Sequence, residues 1–284
     1  MATKQINLKK KKSIIGKKEI VVVIFAVVFT TIGIKASDNI AKNKLMDEVV
    51  EGRCPKGMTL IPYSGGDFCI DIYEVSTSDD CSYNDPQNQT ESLVNLDDPS
   101  CMPETKVSAL PWRNISQDQA KRACAKAGKR LPTNSEWMQA SLGTPDISSA
   151  WTEDDCQVSS NWASQPGLSG SASKCISSYG VFDMIGNVWE WVDGVVEDGM
   201  YDGKALPQAG YIDSTDGQGL PGETNTSEPN VNYSEDYFWL KSKGTRGMVR
   251  GGYWNNESDA GVYSLYAVTP PSSVEPGIGF RCVK

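Results

Sequence analysis

Eight cysteines, no histidine and one glutamate set between two tryptophans are the residues of this 284-residue chain in which chemistry would have to reside. A thiol can be a nucleophile, a soft metal ligand or half of a disulfide. Cys54, Cys69, Cys81, Cys101, Cys124, Cys156, Cys175 and Cys282 are even in number, and none forms a Cys-x-x-Cys pair. Without histidine, zinc sites of the usual Cys/His spacing are disfavoured and disulfides in an oxidising compartment are expected. The same absence removes Ser-His-Asp and Cys-His catalysis, histidine general bases and histidine-ligated iron. A second candidate is the stretch from Arg250 to Cys282, RGGYWNNESDAGVYSLYAVTPPSSVEPGIGFRC. Its two ends read as scaffold, while its middle of Tyr, Asn, Glu, Ser, Asp, Val, Thr and Pro follows neither a helical nor a strand period.

The elements that would position these residues start with a divided charge. Residues 1–35 hold eight lysines and one acid, a net of 8 − 1 = +7, so the total of −9 leaves −9 − 7 = −16 for residues 36–284. A body this acidic repels phosphate backbones and tolerates cations, so no nucleic-acid partner is expected. After the basic N-terminus (1–19) comes Ile20–Ile34, fifteen uncharged residues. At ~1.5 Å per residue this is about 22 Å, short of a ~30 Å hydrocarbon core but long for the apolar part of a signal peptide. The lysines place the N-terminus in the cytoplasm and the body outside. We expect a transmembrane signal-anchor with an extracytoplasmic body at a cell surface or in a periplasm; cleavage after Ala36 would give a secreted protein instead. A polar stalk (35–53) leads to a folded domain at 54–284.

Within that domain CPKGMTLIPYSGGDFCIDIYEVS reads as two short strands about a Ser-Gly-Gly turn, and a local Cys54–Cys69 disulfide fits it. Cys81 and Cys101 bracket an Asn/Asp/Gln-rich segment expected to be a surface loop that they close. Ser116 and Gln119 form a capping box before an apolar stripe of Ala120, Ala123, Cys124 and Ala127, with Gly128 at the C-cap, which predicts a helix. Thr133 and Glu136 begin another, with Trp137 and Ala140 inward. Trp189 and Trp191 alternate about Glu190 as in a half-buried strand. Residues 195–247, rich in Gly, Asp, Pro, Ser and Asn around one apolar run, YFWL (237–240), read as a loop-rich insertion. Short strands, two helices and many loops indicate an α+β class.

Three blocks stand in order: LPWRNISQDQAKRACAKAGKRLPTNSEW, then YGVFDMIGNVWEWV, then VRGGYWNN ending in GIGFRCVK. Together they resemble the formylglycine-generating enzyme or sulfatase-modifying factor family. The resemblance implies a C-type-lectin-like fold, stapled by disulfides, over most of 54–284. It also implies a bond from Cys124 to Cys282, which leaves Cys156 with Cys175. It implies a structural calcium ion held by backbone carbonyls of Ile185, Gly186 and Val188 and by Glu190, whereas the residues alone would set Glu190 on the solvent side of a strand whose tryptophans face in. The family's other calcium block has a counterpart only in Asn161, without the aspartate that should follow.

In the family's oxidases a copper-binding cysteine pair stands four and nine residues after the second glycine of Arg-Gly-Gly. Here those positions are Asn256 and Gly261, so no copper is expected and no catalytic residue is assigned. The C-terminus is similar to the variable proteins of diversity-generating retroelements, in which a fixed frame carries exchangeable positions. The resemblance makes Arg250, Gly251, Gly252, Trp254, Ala260, Gly261, Pro271, Ile278, Gly279, Phe280 and Arg281 the frame. The exchangeable, ligand-binding set is drawn from Tyr253, Asn256, Glu257, Asp259, Ser264, Tyr266, Val268, Thr269, Ser273, Val274 and Glu275. Most of that set is reachable by changing adenines in an Asn codon, although the two glutamates need another starting codon. Such a surface is paratope-like, with Tyr giving contact area and Ser, Asn and Asp giving adaptable hydrogen bonds. The expected function is recognition of a protein or glycan by a displayed, non-catalytic domain; the alternatives are a family enzyme with a divergent site and a structural envelope protein.

Overall fold

The computed structural model describes residues 53–284. The basic N-terminus, the Ile20–Ile34 segment and the stalk up to residue 52 lie outside the described residues. No helix among the described residues is long and apolar enough to cross a membrane.

The domain opens with β1 (Met58–Ile61) and β2 (Phe68–Asp71), an antiparallel hairpin across the Ser-Gly-Gly turn. Beyond it, β3 (Val75–Thr77) and β4 (Pro103–Thr105) pair antiparallel and frame the excursion closed by Cys81–Cys101. That excursion is not a plain loop: it contains α1 (Gln89–Asp97). Asn88 caps α1 by accepting from Thr90 N and Glu91 N, each at 3.0 Å, which satisfies two of the amides a helix start leaves unpaired. Its inner face is polar: Ser92 donates to Asn114 O and Asn95 bonds Tyr83 from both ends of its amide. With Leu96 as its one buried apolar side chain, hydrophobic periodicity had little to register.

The two anticipated helices, α2 (Gln117–Lys126) and α3 (Asn134–Ser141), both have complete capping boxes. Ala120, Ala123 and Cys124 of α2 and Trp137 and Ala140 of α3 are buried. The remaining strands are β5 (Trp189–Glu197), β6 (Met200–Tyr201), β7 (Lys204–Ala205), β8 (Gly210–Thr215), β9 (Pro221–Asn225), β10 (Tyr237–Leu240), β11 (Thr245–Arg250), β12 (Leu265–Ala267) and β13 (Ile278–Phe280). They form one mixed sheet in the order β7-β6-β5-β11-β12-β10-β8-β9, with β13 parallel beside β5. Residues 195–247 are thus strand-rich and integral to the sheet, a correction to the loop-rich reading. Ile212, Leu220 and Phe238 from this region lie in the main core with Trp137, Val192, Met248 and Leu265.

All eight cysteines are paired, as Cys54–Cys69, Cys81–Cys101, Cys124–Cys282 and Cys156–Cys175. The C-terminus returns to the start of the domain, where Cys69 and Lys284 exchange both backbone hydrogen bonds at 2.8 Å.

Candidate functional site

The C-terminal segment is fixed at both ends and in the middle before any of it is offered to solvent. At its entrance the Arg250 side chain is fully buried, lies over the Trp137 ring with its guanidinium carbon 5.2 Å from the ring centre, and donates to Gly219 O at 3.0 Å and Val262 O at 2.8 Å. In the middle, Val262 N donates to Asp146 Oδ2 at 3.0 Å and Tyr263 N to Asp236 Oδ2 at 2.7 Å. Gly261 packs so tightly on Asp236 that a Cβ there would overlap the carboxylate. A cysteine at 261 is therefore incompatible with this arrangement. Asn256 is equally committed, since its Oδ1 accepts from Tyr253 N at 3.0 Å.

The two aspartates carry the cost of this clamp. Burial pushes Asp146 up to about 7, and burial, with the neighbouring Asp146 carboxylate adding to it, raises Asp236 well above the usual carboxylate range. Both groups bind protons more tightly folded than unfolded, so their penalty to stability is absent at low pH and grows as pH rises above the ordinary carboxylate range, for Asp146 up to about 7. Asp236→Asn, which removes the charge and keeps an acceptor, is expected to raise the melting temperature more at pH 8 than at pH 4.5. Equal shifts at both pH values would contradict this sign.

At the exit, Arg281 and Glu190 form a buried ion pair with exposures of 0% and 1%. Arg281 Nε lies 2.9 Å from Oε1 and 2.7 Å from Oε2 of Glu190, and Nη2 lies 2.5 Å from Oε1. Trp137 Nε1 donates to the same carboxylate at 2.7 Å. The guanidinium also reaches the carbonyls of Asp71, Ile72 and Phe182. Glu190 is therefore neither a solvent-facing residue nor available to calcium, because a guanidinium occupies the space in front of both its oxygens. The Gly186-Asn187 turn is held instead by Glu74, whose carboxyl accepts from Asn187 Nδ2 at 2.7 Å, Ser169 Oγ at 2.7 Å and Val188 N at 3.3 Å. Burial first, and then the Asp183 and Glu190 charges, push Glu74 well above the carboxylate range. As placed, Ile185, Gly186, Val188 and Glu190 lack the free anionic oxygen a calcium site requires. Chelation or added calcium is accordingly expected to leave the melting temperature unchanged; a saturable rise with calcium would restore the metal reading.

Held this way, the segment builds one wall of a cavity of about 340 Å³. Trp239 and Tyr266 face it from β10 and β12, which run parallel with these two residues in register. Trp189 enters from the start of β5, and its N donates to Gly277 O at 2.8 Å. Trp189 and Trp239 meet edge to face at 5.5 Å, and Trp189 and Tyr266 lie 5.9 Å apart. Tyr253 also lines the cavity and packs on Gly277, where a Cβ would come within 2.8 Å of its ring. Glu275 stands at the rim, exposed, with its carbonyl fixed by Asn114 N at 3.3 Å and Ile278 N at 3.2 Å. Burial, and next the Glu275 carboxylate, raise the Tyr266 phenol above its ordinary value.

Of the expected ligand-binding residues the structure brings Tyr253, Asn256, Tyr266 and Glu275 to this cavity. Glu257 and Asp259 sit beside it in a short 3-10 turn (Glu257–Asp259), where burial and then the Glu257 and Glu235 charges push Asp259 up to about 6. Ser273 and Val274 are half-buried in the turn leading to Glu275, and Val268 is half-buried after β12. Thr269 has a buried hydroxyl and accepts Gly247 N through its carbonyl. Ser264 corrects the expectation: it is fully buried and donates to Asp259 O, so it belongs to the frame. Trp189 and Trp239 were not anticipated as part of the site. The signals were the Trp189/Trp191 alternation and the apolar YFWL run, and nothing local says that the two meet.

The sulfatase-modifying factor enzyme 1-like domain model matches residues 62–284. Among curated proteins the chain is similar to the inactive C-alpha-formylglycine-generating enzyme 2 of Bos taurus, 29% identical over 125 residues, covering 38% of this chain and 40% of that protein. It is similar to the Mus musculus protein of the same name, 30% identical over 122 residues with the same coverage of each. The chain thus spans about 40% of the length of these curated relatives. Among solved structures it is similar to the Major Tropism Determinant I1 variant (TM-score 0.44, 18% identity, 81% of this chain and 53% of that one). It is also similar to Treponema denticola variable protein 1 (TM-score 0.41, 16% identity, 81% of this chain and 99% of that one). A family match that runs from the end of the first strand to the last residue, over all three sequence blocks, means that this chain belongs to the sulfatase-modifying factor enzyme 1-like family.

Proposed function

We propose that this protein is a non-catalytic ligand-binding member of its family, held outside the membrane by Ile20–Ile34, whose C-terminal segment presents the binding face to a protein or glycan. The observation that carries this reading is the commitment of positions 256 and 261. Asn256 holds the backbone of Tyr253, Gly261 is packed against Asp236, and all eight sulfurs are in disulfides, so no thiolate is free for copper. What the same segment builds instead is an aromatic cavity on a rigid frame, a suitable form for recognition. The exchange of Tyr253, Tyr266 and Glu275 by a retroelement would then alter ligand choice without touching the Arg250, Gly261 and Arg281 supports, whereas exchange of Asn256 would also release the Tyr253 backbone.

Incubating the purified protein with copper and a cysteine-containing sulfatase peptide is expected to give no aldehyde. Robust conversion would overturn the non-catalytic reading. A near-copy of the gene's 3′ end differing mainly at adenines, beside a reverse-transcriptase gene, is the expected genomic companion, and an intact locus without it would remove the diversification part alone.

A further inference from the structure

We infer that the aromatic cavity at the C-terminal face receives an organic cation, an alkyl- or trimethylammonium head, with Glu275 as its counter-ion; this rests on the ligand-binding reading above and names the class of ligand. Three rings pack together along one side of the cavity in different planes: Trp189 and Trp239 are inclined at 88°, Trp239 and Tyr266 at 51°, and Trp189 and Tyr266 at 37°. Packed against one another, they make a single faceted aromatic wall with Tyr253 also lining the cavity, and the negative π-faces turned to the cavity attract a cation that rests against this wall.

The charge around the cavity has the complementary sign. Tyr253–Gly277 contains Glu257, Asp259 and Glu275 and neither lysine nor arginine. Glu275 takes part in none of the ion pairs among the described residues, so its carboxylate at the rim has no counter-ion there. A saccharide is served less well. It would stack on a single ring face and could use the Asn256 amide nitrogen for its hydroxyls, but, being neutral, it would leave the negative charge of this segment without a partner. A trimethylammonium head asks for aromatic contact and one negative charge, which the wall of Trp189, Trp239 and Tyr266 and the carboxylate of Glu275 supply.

The test is a tryptophan-fluorescence titration of the full chain, since Trp189 and Trp239 both line the cavity. Choline and trimethyllysine amide are the cationic probes and separate a headgroup-type source from a side-chain source. The neutral control is 3,3-dimethylbutanol, the carbon isostere of choline, and methyl mannoside is the sugar control. At least one cation is expected to change the emission saturably, with the neutral isostere about ten-fold weaker. Glu275→Gln, an isosteric change at an exposed position, is expected to weaken the cation about five-fold or more while leaving the near-UV dichroism unchanged. Equal binding of cation and isostere, no binding of either cation, or indifference to Glu275→Gln would each overturn the cation assignment. Saturation by methyl mannoside with the cations inert would do so while leaving the ligand-binding reading intact, and aldehyde formation in the copper assay would bring down that reading itself.

Discussion

Glu190→Gln is expected to lower the unfolding free energy by about 3–5 kcal/mol, among the largest single-residue effects in the domain. The substitution keeps the shape and leaves the Arg281 guanidinium charged, with 0% exposure and no carboxylate hydrogen-bonded to it, only the more distant Glu74 and Asp183 in its field. The carbonyls of Asp71, Ile72 and Phe182 still accept its hydrogen bonds, but they carry no net charge. A urea titration should move its midpoint to lower concentration with little change in slope, because the surface exposed on unfolding is the same. Arg281→Met should cost a similar amount by stranding Glu190. Replacing both residues with apolar ones of similar volume should cost less than the sum of the single changes, since the stranded charge is the main penalty. A loss below about 1 kcal/mol for Glu190→Gln, the range of an exposed pair, would mean that water reaches this carboxylate.

Removing the Cys124–Cys282 bond is expected to cost about as much by a different route. It joins residues 158 apart, and the chain-entropy model gives about 5 kcal/mol for a loop of that length, against about 3 kcal/mol for the 15-residue separation of Cys54 and Cys69. Cys124→Ala with Cys282→Ala should therefore lower the melting temperature more than Cys54→Ala with Cys69→Ala. The reverse order would show that native-state packing, not loop closure, decides what each bond contributes. The long bond also fixes the exit of the C-terminal segment to α2, so its loss should weaken ligand binding at temperatures where the fold survives, which the short bond should not do.

How much of this was visible in the residues depends on the range over which each feature is determined. The α2 and α3 capping boxes are written within four residues of chain and were legible, as were the Cys54–Cys69 and Cys81–Cys101 pairs, whereas Cys156–Cys175 followed only from the resemblance. Cys124–Cys282 and the family itself came from the ordered blocks. The α1 helix was hidden because Ser92 and Asn95 occupy its buried face, so its period is polar. The strands of 195–247 were hidden for a related reason. β9 has one buried residue in five, and β6 and β7 have none, so alternation is weak where strands lie at a sheet edge. Glu190 was placed on the correct strand and given the wrong partner, because its counter-ion comes from 91 positions further along the chain. The candidate site was half legible: Tyr253, Asn256, Tyr266 and Glu275 sit in the expected segment, while Trp189 and Trp239 join them only through strand pairing. The C-type-lectin-like fold and the disulfide framework accord with the family that the chain belongs to.

The way the C-terminal strand closes the domain has a consequence for how errors in the gene are filtered. A product cut short or shifted in frame anywhere between Tyr253 and Gly277 loses β13, the guanidinium that neutralises Glu190, the partner of Cys124 and the Val283 that bridges Ile70 and Arg130, all at once. Missense exchanges on the cavity wall leave every one of these in place. Folding therefore acts as a proofreader of the reading frame: an altered cavity wall survives only on chains translated correctly through the segment that carries it, and the remainder are left with an unfinished sheet open to proteolysis.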